Sequence, residues 1–109
     1  MATNYKVLGQ SNPAATTLTS LYTVPAATQT VVSTITVANQ AATAATYRIA
    51  VRIAGASIAT AQYIAYDVSL PANASDTLTL GLTLGATDVI SVYSSTATMS
   101  FNAFGSEIS

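Results

Sequence analysis

The sequence has no cysteine and no histidine among its 109 residues. Without cysteine the chain can form neither a disulfide bond nor a thiolate nucleophile, and without either residue it lacks the usual ligands of a zinc site. A serine nucleophile would also lack the histidine base that it ordinarily needs. These absences argue against several classes of enzyme.

Charged residues are scarce as well. Three cations and four carboxylates make up 6% of the chain, against roughly 25% in an ordinary soluble domain. Apolar residues make up 50%, which is the opposite of the composition of a disordered chain. The exposed surface must therefore consist mainly of uncharged side chains. Such a surface, with a net charge of -1, favours association, and we expect neighbours in an assembly to cover much of it.

Several kinds of partner find no support in the sequence. No run approaches the roughly 18 apolar residues that a membrane helix needs, and no glycine-rich phosphate loop opens a helix. A pI near 4.7 gives no long-range attraction to nucleic acid. The first residues lack the apolar core of a signal peptide. We therefore expect synthesis in a cytoplasm and neither membrane nor nucleic acid as a partner.

Residues 46–53 form the clearest half-buried strand in the sequence. Side chains in a strand alternate between its two faces. Two of the three cations, Arg48 and Arg52, consequently share one face, which must meet water or a partner. The opposite, core-facing set is Tyr47, Ile49, Val51 and Ile53.

Further strands are predicted along the chain by the same alternation and by the turn residues between them. In two of them the apolar face is well defined. Residues 62–70 are expected to bury Ile64, Tyr66, Val68 and Leu70, and residues 77–84, with four leucines in register, are expected to form a central strand. The last two strands are expected to form a hairpin, and residues 105–109 a tail. The predicted strands are 16–24, 29–38, 46–53, 62–70, 77–84, 89–93 and 97–104, with Tyr5 to Leu8 as an edge strand or as part of an arm.

About eight short strands at a spacing of roughly 8–12 residues, without a credible helix, predict an all-β fold. We expect a two-sheet antiparallel β-sandwich of jelly-roll type, with an immunoglobulin-like sandwich as the alternative. At this length the chain, residues 1–109, forms one domain. Residues 1–13 either join the sandwich or form an N-terminal arm that reaches a neighbouring subunit.

The ionisable residues suggest structural roles more than catalysis. Asp67 is expected to meet Arg48 or Arg52 across a sheet, and Asp76 and Asp88 to lie in solvent or in turns. Arg48 and Arg52 themselves have two interpretations: anchors at an interface, where arginine is enriched, or ion pairs within the chain. We predict no catalytic, cofactor-binding or metal-binding residues. The tyrosines fit the core or its rim better than a platform for stacking sugars: Tyr47, Tyr63, Tyr66 and Tyr93.

Six segments of the chain resemble small virion proteins of tailed bacteriophages, including cyanophages. Together they cover nearly the whole sequence. They are scaffold segments and contain no catalytic motif. The segments are residues 4–10 (NYKVLGQ), 21–25 (LYTVP), 46–52 (TYRIAVR), 63–73 (YIAYDVSLPAN), 86–93 (ATDVISVY) and 101–109 (FNAFGSEIS).

The resemblance implies a non-enzymatic structural protein of the virion, made in the host cytoplasm. The role that it favours is a capsid decoration or cement protein, which binds itself, typically as a homotrimer, and the major capsid protein, with no small-molecule substrate. A tail, neck or fibre module for host recognition is the alternative. The candidate interface residues are Tyr5, Lys6, Arg48 and Arg52.

Overall fold

The computed structural model describes residues 2–109, so residue 1 of the predicted domain lies outside the described residues. Two single 3₁₀ turns, Ile53–Gly55 and Thr60–Gln62, are the helical segments of this range. Most of the remaining chain is extended, because alternating apolar residues form strands with one buried face. The strands are β1 (Thr3–Ser11), β2 (Thr19–Thr23), β3 (Gln29–Asn39), β4 (Ala45–Arg52), β5 (Tyr63–Leu70), β6 (Ser75–Leu84), β7 (Val89–Ser94) and β8 (Met99–Ile108).

The strands form two antiparallel sheets of four. Sheet A has the order β1-β8-β3-β6 and sheet B the order β2-β7-β4-β5. The first strand pairs with the last, the second with the seventh, the third with the sixth and the fourth with the fifth. This is a long two-stranded ribbon rolled up around its β4–β5 end, which is the jelly-roll order. The predicted β-sandwich is confirmed, and the immunoglobulin-like strand order does not describe it.

The core lies between the inner faces of the two sheets, as in other sandwiches. Its largest members are Tyr47 from sheet B and Phe101 from sheet A, both almost completely buried. Their rings meet edge to face with centres 6.1 Å apart and an interplanar angle of 73°, a favoured arrangement for aromatic pairs. Smaller apolar side chains fill the space around this pair: Val24, Val32, Ile35, Val37, Ile49, Leu70, Ile90, Val92, Met99 and Ala103.

The core-facing residues of β5 differ from the prediction. The pairing of β5 with β4 shifts twice, between Val68 and Ala65 and again between Ala65 and Tyr63. A shift of one residue moves the following side chains to the other face. Val68 and Leu70 face the core as predicted, but Ala65 replaces Ile64 and Tyr66, whose side chains are exposed. The prediction was wrong for those two residues.

The leucine-rich strand β6 lies at the edge of sheet A and not at its centre. Gly81 has a φ of +62°, and at this point β6 has one residue more than β3, a bulge opposite Ser33. Leu84 is buried and Leu80 is 42% exposed. The predicted central position was therefore wrong. Four leucines that alternate with polar residues fit a half-buried edge strand as well as a central strand.

Three further predictions were wrong near the ends of strands. Ile53 follows the end of β4, in a 3₁₀ turn, and is 71% exposed. Strands β7 and β8 lie in different sheets, so they do not form the predicted hairpin. The predicted tail continues β8 to Ile108, and Ala2 and Ser109 exchange two backbone hydrogen bonds of 2.7 and 2.9 Å. The predicted N-terminal segment forms the edge strand β1, which pairs with β8.

Candidate binding surfaces

A row of aromatic and charged side chains crosses the outer face of sheet B. Arg48 on β4 lies between the rings of Tyr93 on β7 and Tyr66 on β5, with its guanidinium carbon 4.2 Å from each ring centre. Tyr63 meets Tyr66 edge to face, with ring centres 4.9 Å apart and an interplanar angle of 84°. The faces of tyrosine rings attract a cation at such distances. We call Arg48, Tyr63, Tyr66, Asp67 and Tyr93 the tyrosine shelf.

Arg48 and Asp67 form a two-point ion pair within the tyrosine shelf. The Nε atom of Arg48 lies 2.6 Å from Oδ1 of Asp67, and its Nη2 atom lies 3.3 Å from Oδ2. The hydrogen bond to the carboxylate raises the pKa of Arg48 above its ordinary value, because it stabilises the cation. The predicted pairing of Asp67 with an arginine across the sheet is confirmed for Arg48. An additional role of Arg48 at a subunit interface stays a prediction.

The second arginine, Arg52, holds the connection between β4 and β5 in place. Its Nε atom donates to the hydroxyl of Ser91 over 3.0 Å, and its Nη1 atom donates to the carbonyls of Gly55 and Ala56 over 3.4 and 3.2 Å. These partners are neutral, so Arg52 does not form the ion pair that was one of its two interpretations. Its role as an interface anchor stays a prediction.

Each of the three aspartates has its own partner in the fold. Asp67 pairs with Arg48, and Asp76 accepts a hydrogen bond of 2.8 Å from the Tyr47 hydroxyl. Asp88 accepts hydrogen bonds of 2.8 and 2.9 Å from two backbone N–H groups in neighbouring turns. Within residues 2–109 no three acidic side chains cluster as a metal site would require. These carboxylates stabilise strand and turn contacts.

Glu107 links the two sheets near the chain termini. Its Oε1 atom lies 3.2 Å from Nζ of Lys6, and its Oε2 atom accepts a hydrogen bond of 2.5 Å from the Tyr22 hydroxyl. That hydroxyl also lies 2.8 Å from Oγ1 of Thr30. Burial, together with the carboxylate, raises the pKa of Tyr22 to about 12. The same hydrogen bond, followed by the one from Lys6, lowers the pKa of Glu107.

Replacing Glu107 with glutamine should destabilise the fold by about 1–2 kcal/mol, because the charge is removed and one of the two acceptor oxygens of a mostly buried side chain becomes a donor. The pKa of Glu107 is lower in the folded state, so its stabilising contribution is present above the ordinary glutamate pKa of 4.5 and is lost as the pH falls below it. Urea unfolding of wild type and Glu107→Gln, at neutral and acidic pH, measures this difference.

The acid-induced loss of stability should be smaller in Glu107→Gln than in wild type. Lys6→Gln is the matched control, since it removes only the half-exposed partner of Glu107 and should cost less than ~1 kcal/mol. Parallel pH dependence of wild type and Glu107→Gln would contradict the assigned role of Glu107.

The outer face of sheet A is uncharged in the part of the chain that the structure describes. Tyr5 and Val7 on β1 are 85% and 48% exposed, and their cross-strand partners on β8 are Ser106 and Phe104. Residues paired across strands share a face. The charged residues of this sheet make their contacts away from this face. Lys6 pairs with Glu107, and the carboxylates of Glu107 and Asp76 accept hydrogen bonds from tyrosines of sheet B. Threonines of β3 and β6 continue the face: Thr34, Thr36, Thr77, Thr79 and Thr83.

Sequence reasoning assigned Tyr66 to the core and so missed the tyrosine shelf as a unit. The cause is the bulge at Asp67, which has a φ of +49°. A residue in this conformation breaks the alternation and lets Tyr66 and Asp67, adjacent in sequence, lie on the same face. Aspartate is rare in strands and tolerates this backbone region. An aspartate inside a predicted strand is therefore the sequence feature that could have indicated the bulge.

Comparisons with protein families, with curated proteins and with solved structures found no match for this chain. As for membranes, neither 3₁₀ turn of the described chain approaches the length of a spanning helix.

Proposed function

We propose that this protein is a non-enzymatic structural component of a tailed-phage virion, namely a capsid decoration or cement protein. The uncharged outer face of sheet A, with Tyr5 and Val7 exposed on its edge strand, is the observation that carries the proposal. Such a face loses little by being covered, because no charge has to be desolvated. We propose that it contacts further copies of the chain, as a homotrimer, and the major capsid protein.

The use of charge within the fold supports a structural role. All seven acidic and basic side chains of the sequence make contacts inside the chain. The three cations contact carboxylates, a hydroxyl or backbone carbonyls. The four carboxylates contact cations, tyrosine hydroxyls or backbone N–H groups. A general acid–base pair needs two such groups facing a substrate. The resemblance to small phage virion proteins agrees with this assignment.

A cement protein acts by mass action. Contacts that exist only in the assembled shell shift the equilibrium towards the shell, and many weak, uncharged contacts repeated over a lattice are sufficient. The jelly roll occurs in viral capsid proteins, although a fold alone does not select a function. The resemblance and the uncharged face are therefore the stronger support.

Placement on a tail, neck or fibre, with a role in host recognition, is the second candidate. The tyrosine shelf favours it, because exposed aromatic rings are common in recognition sites. Copy number separates the two candidates. Quantitative mass spectrometry of purified particles should find hundreds of copies for a shell protein and a handful for a neck or fibre protein.

Particles that lack the protein should release DNA at a lower temperature than complete particles, and added wild-type protein should restore the higher temperature. Val7→Lys, which places a charge on the outer face of sheet A, should fail to restore it. Thr23→Lys is the control, since Thr23 is exposed on an edge strand of sheet B. DNA release at the same temperature with and without the protein would contradict the cement function.

A further inference from the structure

We propose that the tyrosine shelf binds one ring of a neutral carbohydrate, with Tyr66 as the stacking surface and Asp67 as the hydrogen-bond acceptor. The shelf lies on the outer face of sheet B, whereas the proposed assembly face belongs to sheet A. The inference therefore stands independently of the cement function, and each can fail alone, whereas it would give the second candidate, host recognition, its class of ligand.

The first argument concerns the ring of Tyr66. It is 57% exposed, whereas Tyr22 and Tyr47 are buried. Arg48 lies over the ring, with its guanidinium carbon 4.2 Å from the ring centre, and Tyr63 meets the ring edge to face with centres 4.9 Å apart. An aromatic ring fixed in this way offers apolar surface to the C–H groups of a pyranose at little further cost in side-chain entropy.

The second argument concerns the polar groups next to that ring. The carboxylate of Asp67 accepts two hydrogen bonds from Arg48 and keeps free lone pairs, since an ionised carboxylate has about four acceptor sites. Its side chain is 45% exposed, so these sites can accept sugar hydroxyls. The charges of Arg48 and Asp67 balance each other. This balance favours a neutral sugar over a phosphate or an acidic sugar.

The third argument is the backbone that brings the two groups together. Successive residues of a regular strand point to opposite faces, so Tyr66 and Asp67 would be separated without the bulge. Asp67 adopts a left-handed conformation with a φ of +49°, which aspartate tolerates, and bulges in strands are over-represented next to functional sites. The bulge explains why ring and carboxylate form one surface.

The fourth argument is the shape of the surface. Tyr63, Tyr66 and the hydroxyl-bearing Thr60 line an open pocket of about 480 Å3, within the range of about 300–1,000 Å3 for small-ligand sites. Tyrosine and arginine are also the residues that dominate protein–protein contacts. A concave pocket that includes the exposed Tyr66, with the ion-paired carboxylate of Asp67 next to it in the chain, fits a small polar ligand better than a protein surface, so a protein contact becomes an outcome of the test.

A panel of neutral glycans, screened with the full chain on an array, tests the proposal. The best binder is then titrated in two-dimensional amide NMR, where saturable shifts are expected at Thr60, Tyr63, Tyr66 and Asp67. Tyr66→Ala and Asp67→Asn should each weaken binding by about tenfold or more. Asparagine tolerates the left-handed conformation as aspartate does, so Asp67→Asn retains the bulge while removing the charge.

Thr23→Ala is the control, because Thr23 is exposed on β2, at the opposite edge of sheet B from β5, and this variant should bind as wild type does. Unchanged amide spectra away from the shelf show that each variant is folded. Three results would overturn the proposal: no glycan binds, Tyr66→Ala binds as tightly as wild type, or shelf shifts appear only with self-association or with added phage particles. The last result would assign the shelf to a protein contact.

Discussion

Replacing Gly105 with alanine is expected to prevent the chain from folding. A Cβ atom at this position would overlap the backbone carbonyl oxygen of Val31 and would lie 3.0 Å from Cα of Val32. Both atoms belong to β3, which pairs with β8 on one side and β6 on the other. The obstacle is backbone held in a sheet, so it cannot move aside as a side chain could. We expect a loss of more than ~3 kcal/mol, which a domain of marginal stability does not survive.

Gly85→Ala is the matched control for Gly105→Ala. The nearest atom to a Cβ at Gly85 is Oδ2 of Asp88 at 3.8 Å, an ordinary contact. This variant should stay within about 0.5 kcal/mol of wild type. Circular dichroism and urea unfolding of the three proteins compare them directly. A folded Gly105→Ala with near wild-type stability would show that β3 and β8 are not packed as closely as the structure has them.

Removal of the Phe101 ring is the second change with a large expected effect. Phe101 is fully buried and meets Tyr47 of the opposite sheet edge to face. Truncation to alanine removes the central contact between the sheets and leaves a cavity. The expected cost is about 3–5 kcal/mol in the free energy of unfolding, measured by urea unfolding monitored through tyrosine fluorescence.

Phe104→Ala is the matched control for Phe101→Ala. It also removes an aromatic ring from β8, but this ring does not lie in the core. Phe104 lies three residues later, opposite Val7 on the half-exposed outer face. Its truncation should cost roughly 1 kcal/mol, since less apolar area is lost from contact. Equal effects of the two substitutions would contradict the assignment of Phe101 to the core and Phe104 to the outer face.

The sandwich itself was predictable because the buried faces of several strands alternate cleanly. In β4 the apolar residues Tyr47 and Ile49 recur at every second position, and in β8 Met99, Phe101 and Ala103 do the same. Burial of one face follows from such a pattern whatever the strand order is. The number of strands and their short connections then leave few folds besides a two-sheet sandwich.

Strand order and bulges were less predictable, because they depend on which strands meet. A strand with four alternating leucines, β6, is compatible with a central or an edge position, and only the pairing with β3 decides. Similarly, the bulge at Asp67 reverses the face of Tyr66 without changing the composition of β5. The pairing of Asp67 with one of the two arginines of β4 was still predictable, since opposite charges on adjacent strands are few in this chain, but the choice of Arg48 over Arg52 was not.

The outer faces of the two sheets differ in chemistry, and we propose a different task for each. Sheet A presents Thr-rich, uncharged surface around Tyr5 and Val7, and sheet B presents the tyrosine shelf around Arg48. The scarcity of charge in the sequence explains the first face, because the few charged groups serve contacts within the fold. A virion protein with one face towards the particle and one towards the medium would use both.

Sedimentation equilibrium of the purified protein at high concentration tests the central claim, that the outer face of sheet A is a surface for subunit contacts. Wild type and the Thr23→Lys control should sediment as an oligomer, expected to be a trimer. Val7→Lys should sediment as a monomer and give the same far-UV circular dichroism spectrum as wild type, although it should unfold at a lower urea concentration because it lacks the stabilising subunit contacts. A wild-type protein that remains a soluble monomer at high concentration would contradict the claim, as would a Val7→Lys variant that assembles like wild type.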